Sequence, residues 1–176
     1  MAVSARQVVW DAASWIALIS DEKIRDTAGN VIEDRGTMAG DVQKAAMLGL
    51  VEIVTPALAL VEVCGRSDMR TKVTSDKIGA YFDHEYIQVA ALDTTLAHQA
   101  RAIIQKRPAK GKPYCRPKDA VYVATAVDWN ISELHTFDNG LLKLTKQFLT
   151  RSGQPITICK PGINLAGADL FCRPSA

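Results

Sequence analysis

Four carboxylates stand at positions where they could act together. Asp11 ends the apolar run VVWD and Asp138 ends the run LHTFD, so both fall where a strand would stop. Glu62 lies inside the otherwise apolar segment PALALVEVCG, where a charge is costly unless a partner or a cation neutralises it. Asp119 opens the run DAVYVATAVDW. Each aspartate alone could be a helix N-cap, and Glu62 could occupy the one solvated stripe of a buried helix.

The chemistry that such a set supports is the binding of divalent cations. Four carboxylates at one edge of a sheet repel each other strongly, so the cluster is stable when cations lie between them. Oxygen ligands without cysteine or histidine favour Mg²⁺ or Mn²⁺. Carboxylate-held Mg²⁺ serves phosphoryl chemistry, in which an activated water attacks phosphorus in line. The four residues are therefore predicted to be both metal ligands and catalytic residues.

The elements that would position these residues alternate between β-rich runs and helical patterns. The predicted strands are 7–12, 52–55, 86–92, 131–137 and 155–159. The predicted helices are 14–20, 37–51, 56–65, 71–83, 96–106, 119–129 and 139–149, with Thr55 as the cap of the third. Strands separated by helices imply a three-layer α/β/α sandwich with a mainly parallel central sheet. In such sheets the functional crevice lies at the carboxyl ends of the strands.

Length and composition are those of one domain over 1–176. Hydrophobic residues make up 48% and charged residues 23%, so a folded core is expected, over about 7–159. Residues 21–36 are a polar, turn-rich excursion, and 160–176 form a tail without a clear period. No apolar run approaches the ~18 residues of a membrane span, and no signal-peptide core is visible, so a cytoplasmic protein is expected. The four cysteines form no CxxC pair and are expected to be buried or idle thiols.

A basic segment without acids precedes Asp119. Its six cations are Lys106, Arg107, Lys110, Lys112, Arg116 and Lys118. Such a run is often only solvated surface. Because it ends beside Asp119 and contains Tyr114, on which a base could stack, we predict that it binds the phosphates of RNA.

Four segments together resemble a known family. They are similar to PIN domains, especially to the VapC-like ribonucleases of toxin–antitoxin systems. In chain order the segments are VVWDAASWIALI, TPALALVEV, KDAVYVATAV and LHTFDNGLLKL. The resemblance covers about 7–159 and implies an endoribonuclease that depends on Mg²⁺ or Mn²⁺. It assigns the acidic site to Asp11, Glu62, Asp119 and Asp138. It also implies homodimers and, for a toxin, a cognate antitoxin that covers the acidic groove.

The resemblance to PIN domains also indicates auxiliary residues, and the sequence argues against two other protein classes. PIN domains commonly carry Ser, Thr or Asn two places after the first aspartate, whereas this chain has Ala13 there and Ser14 one place later. Ser14 and Thr136, from the TxD strand end, are the auxiliary candidates. Ala13 argues against a haloacid-type phosphatase, which needs an aspartate at that position, and no GxGxxG loop indicates a dinucleotide site. The alternative left open is a PIN fold that binds RNA or protein without catalysis.

Overall fold

The computed structural model describes residues 5–106 and 113–162. Its strands are β1 (Arg6–Trp10), β2 (Lys23–Arg25), β3 (Val31–Asp34), β4 (Val51–Pro56), β5 (Ile87–Ala90), β6 (Glu133–His135) and β7 (Thr157–Cys159). Its helices are α1 (Ala12–Ile19), α2 (Arg35–Met47), α3 (Ala57–Gly65), α4 (Lys72–Phe82), α5 (Thr94–Gln105), α6 (Pro117–Asp128) and α7 (Asn139–Leu142), with a 3₁₀ turn at Ser67–Met69.

Five strands form one sheet in the order β5-β4-β1-β6-β7. The central strand β1 pairs in parallel with β4, where Val8 faces Ile53, and with β6, where Trp10 faces His135. The outer pairs, β4 with β5 and β6 with β7, are also parallel. Because parallel strands all end at the same edge, the residues that follow β1 and β6 collect there.

The central strand also shows why helices lie on both faces of the sheet. Successive side chains of a strand point to opposite faces, and Val8, Val9 and Trp10 are all fully buried. Helix α6 packs against β1, β4 and β6, whereas α1 packs against α2 and α3. Burial on both faces is the usual condition of parallel sheets. The predicted three-layer α/β/α sandwich with a mainly parallel sheet is confirmed.

Two tryptophans tie α1 to the sheet beside the end of β1. The rings of Trp10 and Trp15 are fully buried and meet edge to face, with 4.9 Å between their centroids. The indole N–H of Trp15 donates to Thr55 Oγ1 (3.1 Å), and the Thr55 hydroxyl donates to the carbonyl oxygen of Trp10 (3.0 Å). Thr55 is therefore a buried strand residue and not the expected helix cap. The N-cap of α3 is Pro56, which makes no side-chain capping bond.

Two segments differ from the sequence prediction. The polar excursion at 21–36 is largely exposed, as expected, but it contains an antiparallel hairpin of β2 and β3. The helix predicted over 139–149 ends at Leu142. It does not continue to 149 because Lys146 adopts a left-handed conformation (φ 60°), which interrupts helical geometry, and the N–H of Lys146 donates to the carbonyl of Ile156.

The hairpin is attached to the carboxyl edge of the sheet. The guanidinium of Arg35, which follows β3, lies 5.2 Å from the centre of the Phe137 ring. The ammonium group of Lys160 lies 2.9 Å from a carboxylate oxygen of Glu33. Phe137 follows β6 and Lys160 follows β7, so both contacts bring the hairpin to the side of the sheet where β6 and β7 end.

Candidate active site

Asp11 joins the end of β1 to the start of α1. As the N-cap of α1, its Oδ1 accepts hydrogen bonds from the N–H (2.9 Å) and the hydroxyl (3.0 Å) of Ser14. Its Oδ2 accepts a hydrogen bond from the hydroxyl of Thr136 (2.5 Å). Both predicted auxiliary residues therefore contact Asp11, one at each carboxylate oxygen. The capping role and a role in the site are compatible, because capping occupies only one of the two oxygens.

The environment of Asp11 disfavours its charge. Burial raises its pKa to about 6, against the hydrogen bonds from Thr136 and Ser14, which lower it; the nearby charge of Asp138 adds to the rise. A carboxyl group whose pKa is raised by burial and by a neighbouring charge is typical of functional sites. A cation beside Asp11 would reverse the shift, because it favours the ionised form.

Thr136 connects Asp11 to Asp138. Its hydroxyl donates to Asp11 and accepts a hydrogen bond from the N–H of Asp138 (2.8 Å). Asp138 in turn caps α7, where its Oδ1 accepts from the N–H groups of Gly140 (2.6 Å) and Leu141 (3.3 Å). Its Oδ2 accepts a hydrogen bond from Arg116 (2.7 Å).

Arg116 lies between two of the predicted site residues. Its Nε and Nη2 donate to the two carboxylate oxygens of Asp119 (2.7 and 3.2 Å), and Nη2 also donates to Oδ2 of Asp138 (2.7 Å). A Cβ at Gly140 would come within 3.1 Å of Arg116 Nη2, so the glycine leaves room for the guanidinium. Although partial burial opposes it, the contact with Arg116 lowers the pKa of Asp138. Arg116 was predicted to bind RNA, and its contacts here are with carboxylates.

Glu62 belongs to the same group through Tyr122. The Tyr122 hydroxyl donates to Oε2 of Glu62 (2.5 Å), and Lys118 Nζ lies 3.4 Å from Oε1. The prediction of a buried helix holds for one side of α3 only: Ala59 and Val63 are buried, whereas Val61 is 68% exposed. The Glu62 side chain, 23% exposed, lies at the border of that buried side.

Tyr122 is a site residue that the sequence analysis missed. It is buried on α6, three residues after Asp119, and its hydroxyl accepts a hydrogen bond from the N–H of Ala12 at the start of α1 (3.2 Å). Residues three apart on a helix share a face, so the spacing was the available signal. Burial, and then the bond to Glu62, raise the pKa of Tyr122, so the hydroxyl keeps its proton.

The basic segment is described only in part. Arg107, Lys110 and Lys112 lie outside the described residues. Lys106 is exposed at the end of α5, and Lys118 contacts Glu62 as noted above. The segment's proposed contact with RNA phosphates stays a prediction.

Within residues 5–106 and 113–162, a second cluster brings metal-ligand-type side chains closer together than the four predicted carboxylates are. Glu133, His135 and Cys159 place one ligand atom each within 4.8 Å of one another. Their polar atoms are already engaged: Trp10 Nε1 donates to His135 Nδ1 (3.1 Å), His135 Nε2 lies 2.6 Å from Glu133, Arg6 pairs with Glu133, and Cys159 is disulfide-bonded. Burial lowers the pKa of His135 to about 3, so the ring is neutral. The expectation of idle thiols is wrong for Cys159, and this cluster is a satisfied internal network.

The four predicted carboxylates are connected through the side chains of other residues. Thr136 links Asp11 to Asp138, Arg116 links Asp138 to Asp119, and Tyr122 links Glu62 to the residue after Asp11. Bridging donors therefore separate the carboxylates, and this separation reduces their mutual repulsion. Asp11 and Asp138 follow strands and cap helices, Asp119 lies in the first turn of α6, and Glu62 lies in the second half of α3.

The family model for the PIN domain matches residues 8–147. The chain belongs to the PIN domain family. The matched range contains all four predicted carboxylates, and the predicted resemblance is confirmed. Membership places the protein in a family of nucleases.

A solved structure has the same fold as this chain. The VapC20 toxin of Mycobacterium tuberculosis, described as cleaving the sarcin–ricin loop, is similar with a TM-score of 0.56 and 16% identity. The similarity covers 76% of this chain and 92% of VapC20. No curated protein sequence matches the chain. None of the helices in the described part of this PIN domain protein is both long and apolar enough to span a bilayer.

Proposed function

We propose that this PIN domain protein is a Mg²⁺- or Mn²⁺-dependent endoribonuclease that hydrolyses RNA phosphodiester bonds. Its catalytic residues and metal ligands would be Asp11, Glu62, Asp119 and Asp138. The observation that carries the proposal is the bridging of Asp11, Asp138 and Asp119 by Thr136 and Arg116, which puts a cationic group between two of these carboxylates.

The contacts of that cationic group, Arg116, bear on whether a metal ion would fit between these carboxylates. The guanidinium of Arg116 lies 2.7 Å from an oxygen of Asp119 and 2.7 Å from an oxygen of Asp138, so two ligands already share one positive charge. The remaining donors are hard carboxylate oxygens, which Mg²⁺ and Mn²⁺ prefer. When bound, the ion would supply positive charge at the reacting phosphate.

The chain's own residues would orient the reactants. Asp11, Glu62, Asp119 and Asp138 would hold the ion, and the hydroxyl groups of Ser14 and Thr136 would fix the two oxygens of Asp11. Once it is released from the carboxylates, Arg116 would bind a phosphate oxygen, because a guanidinium binds phosphate in the same forked geometry as carboxylate.

The proposed partners are RNA, a second copy of the chain and an antitoxin. The basic segment, from Lys106 to Lys118, would bind RNA phosphates without sequence choice. Val61 of α3 and Val73 of α4 are 68% and 67% exposed, and the second copy would pack on these helices. A toxin role, with an antitoxin covering the acidic groove, is proposed by analogy with VapC20. A cytoplasmic location and a single domain over 1–176 stay predictions.

RNA cleavage tests the proposal. Purified protein is incubated with mixed RNAs in Mg²⁺, Mn²⁺ or EDTA, and Asp11→Asn is compared with the wild type and with Asp26→Asn. Asp26 lies in the exposed turn of the hairpin, so its variant controls for the charge change. We expect metal-dependent cleavage by the wild type and by Asp26→Asn, and no cleavage by Asp11→Asn. Undiminished cleavage by Asp11→Asn would refute the proposal, and RNA binding without cleavage in either metal would favour the non-catalytic module.

A further inference from the structure

Tyr122 presents a buried hydroxyl that the proposed reaction leaves without a role. The hydroxyl lies where three helices meet: it is carried by α6, it donates to Glu62 of α3, and it accepts from the N–H of Ala12 in α1. Ala12 directly follows Asp11. One oxygen atom therefore contacts two of the elements that carry proposed metal ligands, and its own helix carries a third, Asp119.

The direction of these hydrogen bonds follows from the groups involved. A phenol has one proton to donate, and the N–H of Ala12 can only donate. The Tyr122 hydroxyl therefore accepts from Ala12 and gives its proton to Oε2 of Glu62. The first N–H groups of a helix have no partner within the helix, so the bond also satisfies the start of α1.

Glu62 has little else to fix its position. Its remaining oxygen lies 3.4 Å from Lys118, whose side chain is 51% exposed. Ion pairs between exposed groups add little and are screened by salt. The short, partly buried hydrogen bond from Tyr122 is thus the contact that selects one arrangement of the flexible Glu62 side chain.

We propose that Tyr122 is a positioning residue, which holds Glu62 toward the metal site and locks α6 to the start of α1. The proposal rests on the proposed function, because it gives Glu62 a metal to bind. Residues that orient a ligand in this way typically change metal affinity by roughly 10–100-fold when they are removed.

Calorimetric titration with MnCl₂ tests this role without measuring activity. The wild type, Tyr122→Phe and Tyr86→Phe are stripped with EDTA, and the folded fraction of each is established by denaturation before the titration. Tyr86→Phe is the matched control, because it removes a hydroxyl bonded to Gln43. We expect roughly 10–100-fold weaker Mn²⁺ binding by Tyr122→Phe and wild-type binding by the control. Tyr122→Met is a second hydroxyl-free variant, for use if the phenylalanine does not fold.

A double-mutant cycle with Glu62→Gln shows through which residue Tyr122 acts. If it acts through Glu62, replacing Tyr122 in the Glu62→Gln protein has little further effect on Mn²⁺ affinity. Equal affinity of the wild type and Tyr122→Phe, or fully additive effects in the cycle, would overturn the positioning role alone. A wild type that binds no Mn²⁺ would overturn the proposed function, and the positioning role with it.

Discussion

Replacing Asp11 by asparagine is expected to stabilise the metal-free protein at neutral pH. Asparagine has the shape of aspartate: its oxygen can still accept from Ser14, and its amide can donate to the Thr136 oxygen. What the variant loses is a buried negative charge. Because burial raises the pKa of Asp11 from 3.8 to about 6, ionising it in the folded protein costs free energy.

The magnitude follows from that shift in pKa. A shift of about two units corresponds to about 3 kcal/mol between the two protonation states. The folded pKa is the higher one, so the contribution of Asp11 to stability is fully present below about pH 4 and is lost as the pH rises through 6. We therefore expect the free energy of unfolding of Asp11→Asn to exceed that of the wild type by about 3 kcal/mol at pH 7.5, and by less than about 1 kcal/mol at pH 4. For a chain of this size, about 3 kcal/mol corresponds to roughly 6–12 °C in Tm.

Urea denaturation in EDTA at pH 4, 6 and 7.5 measures this difference. Asp26→Asn provides a control of opposite sign, because hydrogen bonds from Asn30 lower the pKa of Asp26. That variant should be less stable than the wild type at pH 7.5, and its deficit should fade as the pH falls below about 4. A difference between Asp11→Asn and the wild type that stays constant from pH 4 to 7.5 would refute the reasoning. Saturating Mn²⁺ should stabilise the wild type more than the variant.

Three further variants test other contacts. Arg116→Met should bind Mn²⁺ roughly tenfold more tightly in calorimetry. The reason is that the hydrogen bonds from Arg116 to Asp119 and Asp138, worth about 1.5–3 kcal/mol each, no longer compete with the ion. Unchanged or weaker binding would contradict this. Thr55→Val should lower the free energy of unfolding by about 1–3 kcal/mol, because it leaves the indole N–H of Trp15 buried without an acceptor; a neutral result in urea denaturation would contradict this. Lys110→Ala with Lys112→Ala should make the salt dependence of single-stranded RNA binding shallower, by about 0.7 in log–log slope for each lost phosphate contact; a wild-type slope would mean that the segment is solvated surface.

The fold was predictable because it follows from local pattern. Apolar runs such as VVWD and LHTFD mark strands, and the helices between them imply parallel pairing. These rules place Asp11 and Asp138 at one edge of the sheet without knowledge of any contact. The helix over 139–149 was the main error in the pattern of helices and strands, since the left-handed backbone at Lys146 and its bond to Ile156 depend on tertiary structure.

The contacts among the candidate site residues were harder to predict. The basic segment suggested that Arg116 faces RNA, whereas it pairs with Asp119 and Asp138 because a glycine at position 140 leaves space. Tyr122 was not among the predicted site residues. Its role depends on where α3 and α1 lie against α6, and a periodic pattern carries no information about that packing.

The edge-to-face pair of Trp10 and Trp15 gives the protein an intrinsic optical reporter. Trp10 immediately precedes Asp11 in the chain, Trp15 immediately follows Ser14, and both rings are shielded from solvent. Their fluorescence emission therefore senses the electric field and the packing around the first turn of α1, against a background from Trp129, which is 36% exposed. A change of charge at Asp11 alters that field directly. Occupancy of the proposed site can thus be followed by emission wavelength in the unlabelled protein, at concentrations far below those that calorimetry requires.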